Sequence, residues 1–290
     1  MLTQIKTGKG FIAALDQSGG STPKALAGYG IAEGSWSNDE EMYGLIHAMR
    51  SRVIRSPAFA GDKVIGAILF ERTMVGMVDG VATPQALIDK GIVPFIKIDQ
   101  GLEVEENGVQ LMKPVPALDA LLDRAKSLGV FGTKERSVIN SANEAGIAVL
   151  VAQQFQMAAR VIAKGMMPII EPEVNITSAD REASENLLLV ALRTELDRLP
   201  EGQQVMLKLS IPVRPDLYAP LVDHPRVARV VALSGGFSRD EACVQLNKNR
   251  GMIASFSRAL LSDLRADMSD DQFDAALGKA IDQICAASAS

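Results

Sequence analysis

The residue with the clearest chemical potential is a lysine in the middle of an apolar segment. Lys208 stands in Gln203–Ser210, where it shares a face with Met206 while aliphatic residues alternate on the other face. Lysine is almost never fully buried without a partner. Desolvation and a neighbouring cation lower the pKa of a lysine, and the neutral amine then attacks a ketone to form a Schiff base. Lys208 is therefore a candidate nucleophile. The alternative is that its side chain extends along the apolar surface and places the ammonium group in solvent, without a catalytic role.

Charged residues also end the inward faces of four other apolar segments. These residues are Asp16, Lys97, Asp99, Lys134, Arg136, Glu171 and Glu173. Charges on inward faces are costly in a purely structural core, and carboxylates beside a reactive lysine suit proton transfer. Each carboxylate alone could be a helix cap or a surface ion pair, but their coincidence predicts a catalytic site. Lys113 precedes Pro114 and is interpreted as a loop lysine.

Three turns have the composition of an anion site. Leu233–Gly236 and Ser255–Arg258 follow the seventh and eighth apolar segments, and they combine backbone N–H groups with a cation. Asp16–Ser21 follows the first segment and runs into a helix start with Pro23, for which simple capping is the alternative. Two separate anion cradles predict a substrate that carries phosphate at both ends.

Eight apolar segments, each followed by a helix-like stretch, must position these residues. The segments are Gly10–Asp16, Val64–Glu71, Val93–Asp99, Val130–Arg136, Met167–Val174, Gln203–Ser210, Val227–Gly235 and Gly251–Ser257. Strands that alternate with helices indicate βαβ units, and eight such units favour a closed (β/α)8 TIM barrel, an α/β fold, over an open sheet. Functional residues of such barrels lie at the C-terminal ends of the strands, where the charges occur.

Helical periodicity predicts the helices between these segments. The clearest are Pro23–Tyr29, Asp39–Ile54, Asn140–Lys164, Ala179–Leu199 and Ser269–Ala287. Gly165 follows the third of them, where a C-cap glycine belongs. No linker or internal repeat interrupts the pattern, so residues 1–290 are expected to form a single catalytic domain.

Composition excludes several classes of protein. The 290 residues are 47% hydrophobic with a net charge of −5, which suits a large core and does not suit a nucleic-acid binder. No apolar run is long enough for a membrane span or a signal peptide. Cys243 and Cys285 cannot build a disulfide framework, which indicates the cytoplasm. His47 and His224 lack the spacing of zinc ligands, so no metal or other cofactor is expected.

Seven stretches together resemble class I fructose-bisphosphate aldolases, most closely the shorter bacterial branch. They are Gly8–Ser21, Ile96–Asp99, Lys134–Arg136, Ile170–Val174, Met206–Leu209, Leu233–Gly236 and Ser255–Leu260. They span nearly the whole chain in the family's order and spacing. The resemblance implies a lyase of glycolysis and gluconeogenesis that reversibly cleaves fructose 1,6-bisphosphate to dihydroxyacetone phosphate and glyceraldehyde 3-phosphate.

The resemblance also implies roles for individual residues. Lys208 would form the Schiff base, Glu171 would serve as acid and base on the carbinolamine, and Asp16 would act at the C4 hydroxyl. Lys134 and Glu173 would support charge and proton transfer. The expected contacts of the two phosphates are Ser234, Gly235, Gly236, Ser255 and Arg258 on the dihydroxyacetone half, and Ser18, Ser21, Lys97 and Arg136 at the other end.

The sequence departs from the larger eukaryotic members at three places. Gln17 stands where they have Glu, Glu135 stands where they have Trp, and the chain ends at Ala287–Ser290 without their terminal tyrosine. These departures bear on the enamine step and leave the Schiff-base assignment alone.

Two alternatives remain open at the level of sequence. The first is a lysine aldolase for an epimeric substrate such as tagatose 1,6-bisphosphate, since pocket geometry decides the configuration. The second is a non-catalytic barrel that binds sugar phosphates or protein partners, which would have no need of Lys208, Glu171 and Asp16 together. No surface pattern indicates an oligomeric state.

Overall fold

Eight parallel strands lie side by side in chain order. This computed structural model describes residues 1–289. The strands are β1 (Phe11–Leu15), β2 (Val64–Leu69), β3 (Val93–Lys97), β4 (Gly132–Ile139), β5 (Met167–Val174), β6 (Val205–Ser210), β7 (Val227–Leu233) and β8 (Ile253–Ala254). Ala14 N donates to Phe256 O at 3.1 Å, which brings β1 against the chain after β8. The nearly closed ring confirms the predicted (β/α)8 barrel.

Twelve helices accompany the strands in residues 1–289. They are α1 (Leu2–Thr7), α2 (Ser21–Gly28), α3 (Asp39–Arg55), α4 (Glu71–Met74), α5 (Thr83–Asp89), α6 (Leu118–Ser127), α7 (Glu144–Ala163), α8 (Arg181–Arg198), α9 (Ala219–Val222), α10 (Arg239–Leu246), α11 (Arg258–Leu261) and α12 (Asp270–Ala287). All five predicted helices are present. The third begins at Glu144 instead of Asn140, because the Asn143 side chain accepts from Gly146 N and caps the helix there.

Two small features escaped the sequence pattern because they are too short to show periodicity. Met77–Val78 and Val81–Ala82 form a hairpin, and Val109–Gln110 pairs antiparallel with the end of β4. β4 continues to Ile139, beyond the expected end at Arg136, where it pairs with β5 on one side and with Val109–Gln110 on the other. The other seven barrel strands lie within their predicted segments.

The strands carry two separate hydrophobic cores. One fills the barrel interior and includes Ile12, Phe95 and Met206, and the other lies between the strands and the helices and includes Val205 and Leu207. This division confirms the predicted alternation along β6, because Met206 and Lys208 face inward while the aliphatic residues face the helices.

Helix α7 has the length and hydropathy that a membrane span would need, alone among the helices of residues 1–289. It packs against β4, β5 and α8 in the helix layer. Its apolar character is accounted for by that packing. Ser290, the last residue of the C-terminal stretch compared above, lies outside the described residues.

Candidate active site

A cavity of about 900 Å³ opens at the C-terminal ends of the strands. Every predicted site residue lines it except Gly236. The predicted residues among its lining are Asp16, Ser18, Ser21, Lys97, Lys134, Arg136, Glu171, Glu173, Lys208, Ser234, Gly235, Ser255 and Arg258. Gly236 is exposed to solvent next to the cavity, where an added Cβ would stand 3.8 Å from Arg258 Nη2. Lys113 lies in an exposed loop and does not line the cavity, in agreement with its interpretation as a loop lysine.

Lys134 lies at the centre of the charged cluster on the cavity floor. Its Nζ is 2.7 Å from Asp16 Oδ2, 2.9 Å from Glu171 Oε2 and 3.8 Å from Asp99 Oδ2. The side chain of Lys134 is 3% exposed, so these carboxylates compensate a charge that water does not reach. Three strands, β1, β4 and β5, therefore meet through a single ammonium group.

Lys208 lies beside this cluster on β6. Its Nζ is 3.1 Å from Glu171 Oε1, and its side chain is 5% exposed. Glu171 thus uses one oxygen for Lys134 and the other for Lys208. Gln154 on α7 donates to the backbone oxygen of Glu171 at 3.1 Å, which holds the end of β5 in place from behind. A carboxylate so shared is placed to move a proton to or from Lys208.

The cluster sets the protonation of its members. Burial acts to raise the pKa of Asp16, but the charges of Lys134 and Lys208 outweigh burial and hold that pKa well below its usual range. The pKa of Glu171 is lowered by the same balance. For Lys134, burial acts to lower the pKa, and Asp16, Glu171 and Asp99 raise it above its ordinary value. Both carboxylates are therefore ionised and Lys134 is charged at neutral pH.

Two further ion pairs lie above the floor. Lys97 Nζ is 2.6 Å from Asp99 Oδ1, and Arg136 Nε donates to Glu173 Oε2. The side chain of Arg136 is 36% exposed, so it faces the open part of the cavity. Arg136 contacts Glu173 through Nε alone, so its two Nη groups keep donors free for a ligand. Lys97 Nζ also donates to the backbone oxygen of Asp99 at 2.6 Å, which leaves one of its three donors free.

The turns after β7 and β8 form the first anion cradle. Gly235 has a φ of +60°, and a Cβ there would stand 2.6 Å from Ile176, so the turn excludes a side chain. Ser255 is 1% exposed, and its Oγ has no hydrogen-bond partner among the described residues. A buried hydroxyl in a cavity wall without a partner is costly unless a ligand satisfies it. Arg258 adds an exposed guanidinium at the same edge.

The turn after β1 forms the second cradle. Ser18 N donates to Ser21 Oγ at 2.9 Å, and Ser21 Oγ donates to Ser18 O at 2.8 Å, which closes a compact loop at the start of α2. Gly19 has a φ of +52° in this loop. Lys24 on the first turns of α2 also lines the cavity and supplies a cation. The two cradles are neighbours around the ring, because β1 lies against the chain after β8 and Gln17 Nε2 is 2.6 Å from Ser257 Oγ.

The sequence predicts no role for the lining residues Asp99, Lys24, Gln17 and Ser257. Asp99 ends an inward face and Lys24 follows a Gly-rich turn into a helix, so both have a signal in the sequence. Gln17 is a departure from the larger eukaryotic members, and Ser257 is part of a turn. Gln17 Nε2 donates to Ser257 Oγ at 2.6 Å, a contact between residues 240 positions apart that no local pattern reveals.

The sequence has one decisive relationship. A family model described as fructose-bisphosphate aldolase class-I matches residues 2–186, which is well over half of the chain. The chain belongs to the class-I fructose-bisphosphate aldolase family. Membership makes it a lyase. The match includes Asp16, Lys134 and Glu171 but stops before Lys208, so β6 and the first cradle lie outside the matched residues.

Solved structures support the fold of the family. A fructose-bisphosphate aldolase from Plasmodium falciparum is 20% identical and has a TM-score of 0.77, covering 99% of this chain and 92% of that one. A sugar phosphate isomerase/epimerase from Parabacteroides distasonis is 11% identical with a TM-score of 0.47, covering 97% of this chain and 94% of that one. The first shows the same fold, and the second is too distant to carry an argument.

Histidine, cysteine and carboxylate side chains do not form a metal-binding group of three or more anywhere in residues 1–289. The carboxylates at the cavity floor instead pair with lysines. The donor set of the site is thus one of ammonium, guanidinium, carboxylate and hydroxyl groups.

Proposed function

We propose that this class-I family member reversibly cleaves fructose 1,6-bisphosphate to dihydroxyacetone phosphate and glyceraldehyde 3-phosphate through a Schiff base on Lys208. One observation carries the proposal: the buried Lys208 Nζ lies 3.1 Å from Glu171 Oε1 on the floor of a cavity whose wall includes two anion cradles. A ketose with phosphate at both ends would place its carbonyl near this amine.

The first step joins Lys208 to the ketone. Lys208 passes one proton to Glu171, the carboxylate in contact with it, and the resulting free amine adds to the C2 carbonyl. A second proton moves from the nitrogen to the former carbonyl oxygen and completes the carbinolamine. Glu171 then returns the first proton to the carbinolamine hydroxyl, which departs as water and leaves the iminium. Lys134 stays charged and holds Glu171 in place throughout.

The second step breaks the bond between C3 and C4. The electron pair of that bond moves into the iminium and leaves an enamine on Lys208, while the C4 hydroxyl loses its proton and becomes the aldehyde. Asp16 receives this proton, since its carboxylate is ionised and lines the cavity from β1, across the floor from Lys208. Lys97, Arg136 and Glu173 line the cavity above the floor.

The two cradles divide the phosphates. Ser234, Ser255 and Arg258 bind the phosphate of the dihydroxyacetone half, and the unpartnered Ser255 Oγ donates to it. Ser18 and Ser21 bind the phosphate at the glyceraldehyde end, together with the cations Lys97 and Arg136.

The wider assignments follow from this activity. The protein is proposed to act in cytoplasmic glycolysis and gluconeogenesis, to belong to the shorter bacterial branch and to form one catalytic domain over residues 1–290. The reaction needs no cofactor, because the iminium on Lys208 is the electron sink.

Borohydride reduction with dihydroxyacetone phosphate in EDTA, followed by peptide mass spectrometry, tests the proposal. One adduct on Lys208 is expected. An adduct on Lys134 or Lys113 would overturn the residue roles, and no adduct despite ligand binding would favour a non-catalytic sugar-phosphate-binding barrel. Comparison of kcat/KM for fructose and tagatose 1,6-bisphosphate then decides between the epimers, and a higher value for tagatose would overturn the proposed substrate.

A further inference from the structure

Arg50 on α3 is a buried guanidinium without an acidic partner in contact. It is 0% exposed, and no carboxylate of residues 1–289 forms an ion pair with it. Its contacts are Thr73 Oγ1 at 2.7 Å, the backbone oxygen of Gln17, and Gln17 Oε1 at 3.1 Å. Burial lowers the pKa of Arg50 to about 10, so it is protonated at neutral pH. Because burying a guanidinium is costly, we infer that the hydrogen bonds of Arg50 have a specific role.

The contact with Gln17 fixes the orientation of that amide. Arginine has only donors, so the end of Gln17 that faces Arg50 is its carbonyl oxygen. The amide nitrogen of Gln17 therefore faces the other way, and it lies 2.6 Å from Ser257 Oγ. An amide nitrogen only donates, so Ser257 Oγ is the acceptor in this bond.

The direction of the Ser257 proton follows. Because Ser257 Oγ accepts from Gln17, its own proton points elsewhere, and no acceptor for that proton is found among the described residues. Ser257 is half-buried in the cavity wall next to Arg258. Two residues before it, the Ser255 hydroxyl has no hydrogen-bond partner among the described residues. A donor with no protein acceptor, beside a cation and a second free hydroxyl, suits a phosphate oxygen.

We propose that Arg50 and Gln17 are positioning residues that make the Ser257 hydroxyl a hydrogen-bond donor to a phosphate in the cradle after β7 and β8. The two hydrogen bonds have the same direction: Arg50 donates to Gln17 Oε1, and Gln17 Nε2 donates to Ser257 Oγ. A carboxylate in place of the Gln17 amide would reverse the last link, because it can only accept and would take the Ser257 proton for itself. The proposal deepens the proposed function and depends on it only in that a phosphate occupies this cradle.

A double-mutant cycle with inorganic phosphate as the probe tests the reversal. Calorimetry measures the Kd of phosphate for the wild type, Ser257→Ala, Gln17→Glu and the double variant, and Arg258→Ala identifies the binding event of this cradle. Ser257→Ala is expected to weaken binding about tenfold, the effect of one hydrogen bond to a charged group. In the Gln17→Glu background the same substitution is expected to change Kd less than about twofold, since the hydroxyl already points away from phosphate.

The cycle cancels the charge that Gln17→Glu introduces, and Gln100→Glu is the matched control that adds a charge elsewhere in the cavity wall. Ser257→Ala effects of equal size in both backgrounds would overturn the proposal, as would no effect in the wild type. The role of Arg50 is tested with Arg50→Met, which should raise the Kd of inorganic phosphate severalfold. Arg50→Lys should restore part of the affinity, because the ammonium can still donate to Gln17 Oε1.

A second measurement separates this inference from the proposed function. Borohydride trapping with unphosphorylated dihydroxyacetone reports on Lys208 alone and is expected to be unchanged by Ser257→Ala and Arg50→Met. Phosphate binding requires no catalysis. If the double-mutant cycle shows coupling between Gln17 and Ser257 but no adduct forms on Lys208, the positioning role stands and the aldolase mechanism is rejected. If an adduct forms but Gln17 and Ser257 are not coupled, only the positioning role is rejected.

Discussion

The two ends of the barrel use the same eight strands for opposite purposes. Near the N-terminal ends, the inward residues are apolar, and α1 covers them with Ile5, which is 0% exposed and packs in the interior core with Ile12 and Phe95. Near the C-terminal ends, the inward residues are charged, and Lys134 alone contacts two carboxylates within 3 Å. The change occurs within one strand, for β3 carries Phe95 and Lys97 on the same face.

The difference shows how the fold tolerates so many buried charges. Each charge at the floor has a partner of opposite sign, and the cavity above it admits substrate and water. The apolar end has no such requirement and supplies the burial that supports the structure. Chemistry and stability are therefore assigned to opposite ends, and substitutions at each end should have separable effects.

The largest expected effect is at the charged end. Lys208→Ala removes the nucleophile, so we expect kcat/KM to fall at least about 10⁴-fold, as when covalent catalysis is lost, with phosphate binding retained. Steady-state kinetics and calorimetry measure the two quantities. Lys113→Ala, at an exposed loop lysine outside the cavity, is the matched control and should leave kcat/KM unchanged. Near-normal turnover by Lys208→Ala would contradict the mechanism.

Much of this division was predictable because both patterns are local. Alternation along each strand indicates which side chains face inward, and the ends of β1 and β3 follow from where Asp16 and Lys97 interrupt an apolar run. Eight repeats of the pattern then indicate the barrel. The ion pairs that join Lys134 to β1 and β5 were not specified by sequence, but their location at one end was.

The parts that escaped prediction depend on contacts between distant elements. Val109–Gln110 is a strand only because β4 offers it an edge. Gln17 and Ser257 meet because β1 follows β8 around the ring, which is a consequence of closure and not of either local sequence.

The next effect tests the apolar end. Ile5→Ala removes a fully buried side chain from the interior core, and we expect it to lower the free energy of unfolding by about 2–5 kcal/mol. The expected change in kcat/KM of the folded enzyme is small, since Ile5 is at the end opposite the cavity. Urea denaturation measures the first quantity. Leu2→Ala, on the same helix but 43% exposed, is the control and should cost much less. A large loss of kcat/KM in folded Ile5→Ala would show that the two ends are coupled.

A smaller effect is expected at the rim of the charged end. Arg258→Ala removes a cation that lines the first cradle, and we expect KM for the ketose bisphosphate to rise about tenfold with little change in stability. The exposure of Arg258 to solvent limits the size of the effect. Arg193→Ala, at an exposed arginine on α8, is the control. If kcat fell while KM stayed constant, Arg258 would act in the chemical step instead of binding.

The smallest expected effect concerns the Glu135 carboxyl group, which lies on the helix-facing side of β4 instead of the cavity side. Glu135 lies on β4 between Lys134 and Arg136, so it faces the helix layer, where it is 0% exposed. Burial, reinforced by Asp99, raises the pKa of Glu135 well above its usual range. The folded state thus holds a proton that the unfolded state releases near pH 4, and the free energy of unfolding decreases as pH rises above that value.

Glu135→Gln removes this titration, so the variant should match the wild type near pH 4 and exceed it at pH 7. The gain in the free energy of unfolding should appear above about pH 4 and increase steadily toward pH 7, because the folded wild type retains a proton that its unfolded state has released. Acid loss of the ionised Asp16 and Glu171 affects both proteins equally and cancels in the difference. Glu103→Gln, on the surface, should show no such trend. A constant difference between pH 4 and pH 7 would mean that Glu135 does not titrate there, and the helix-facing side of β4 would then tolerate a charge as well as the cavity side does.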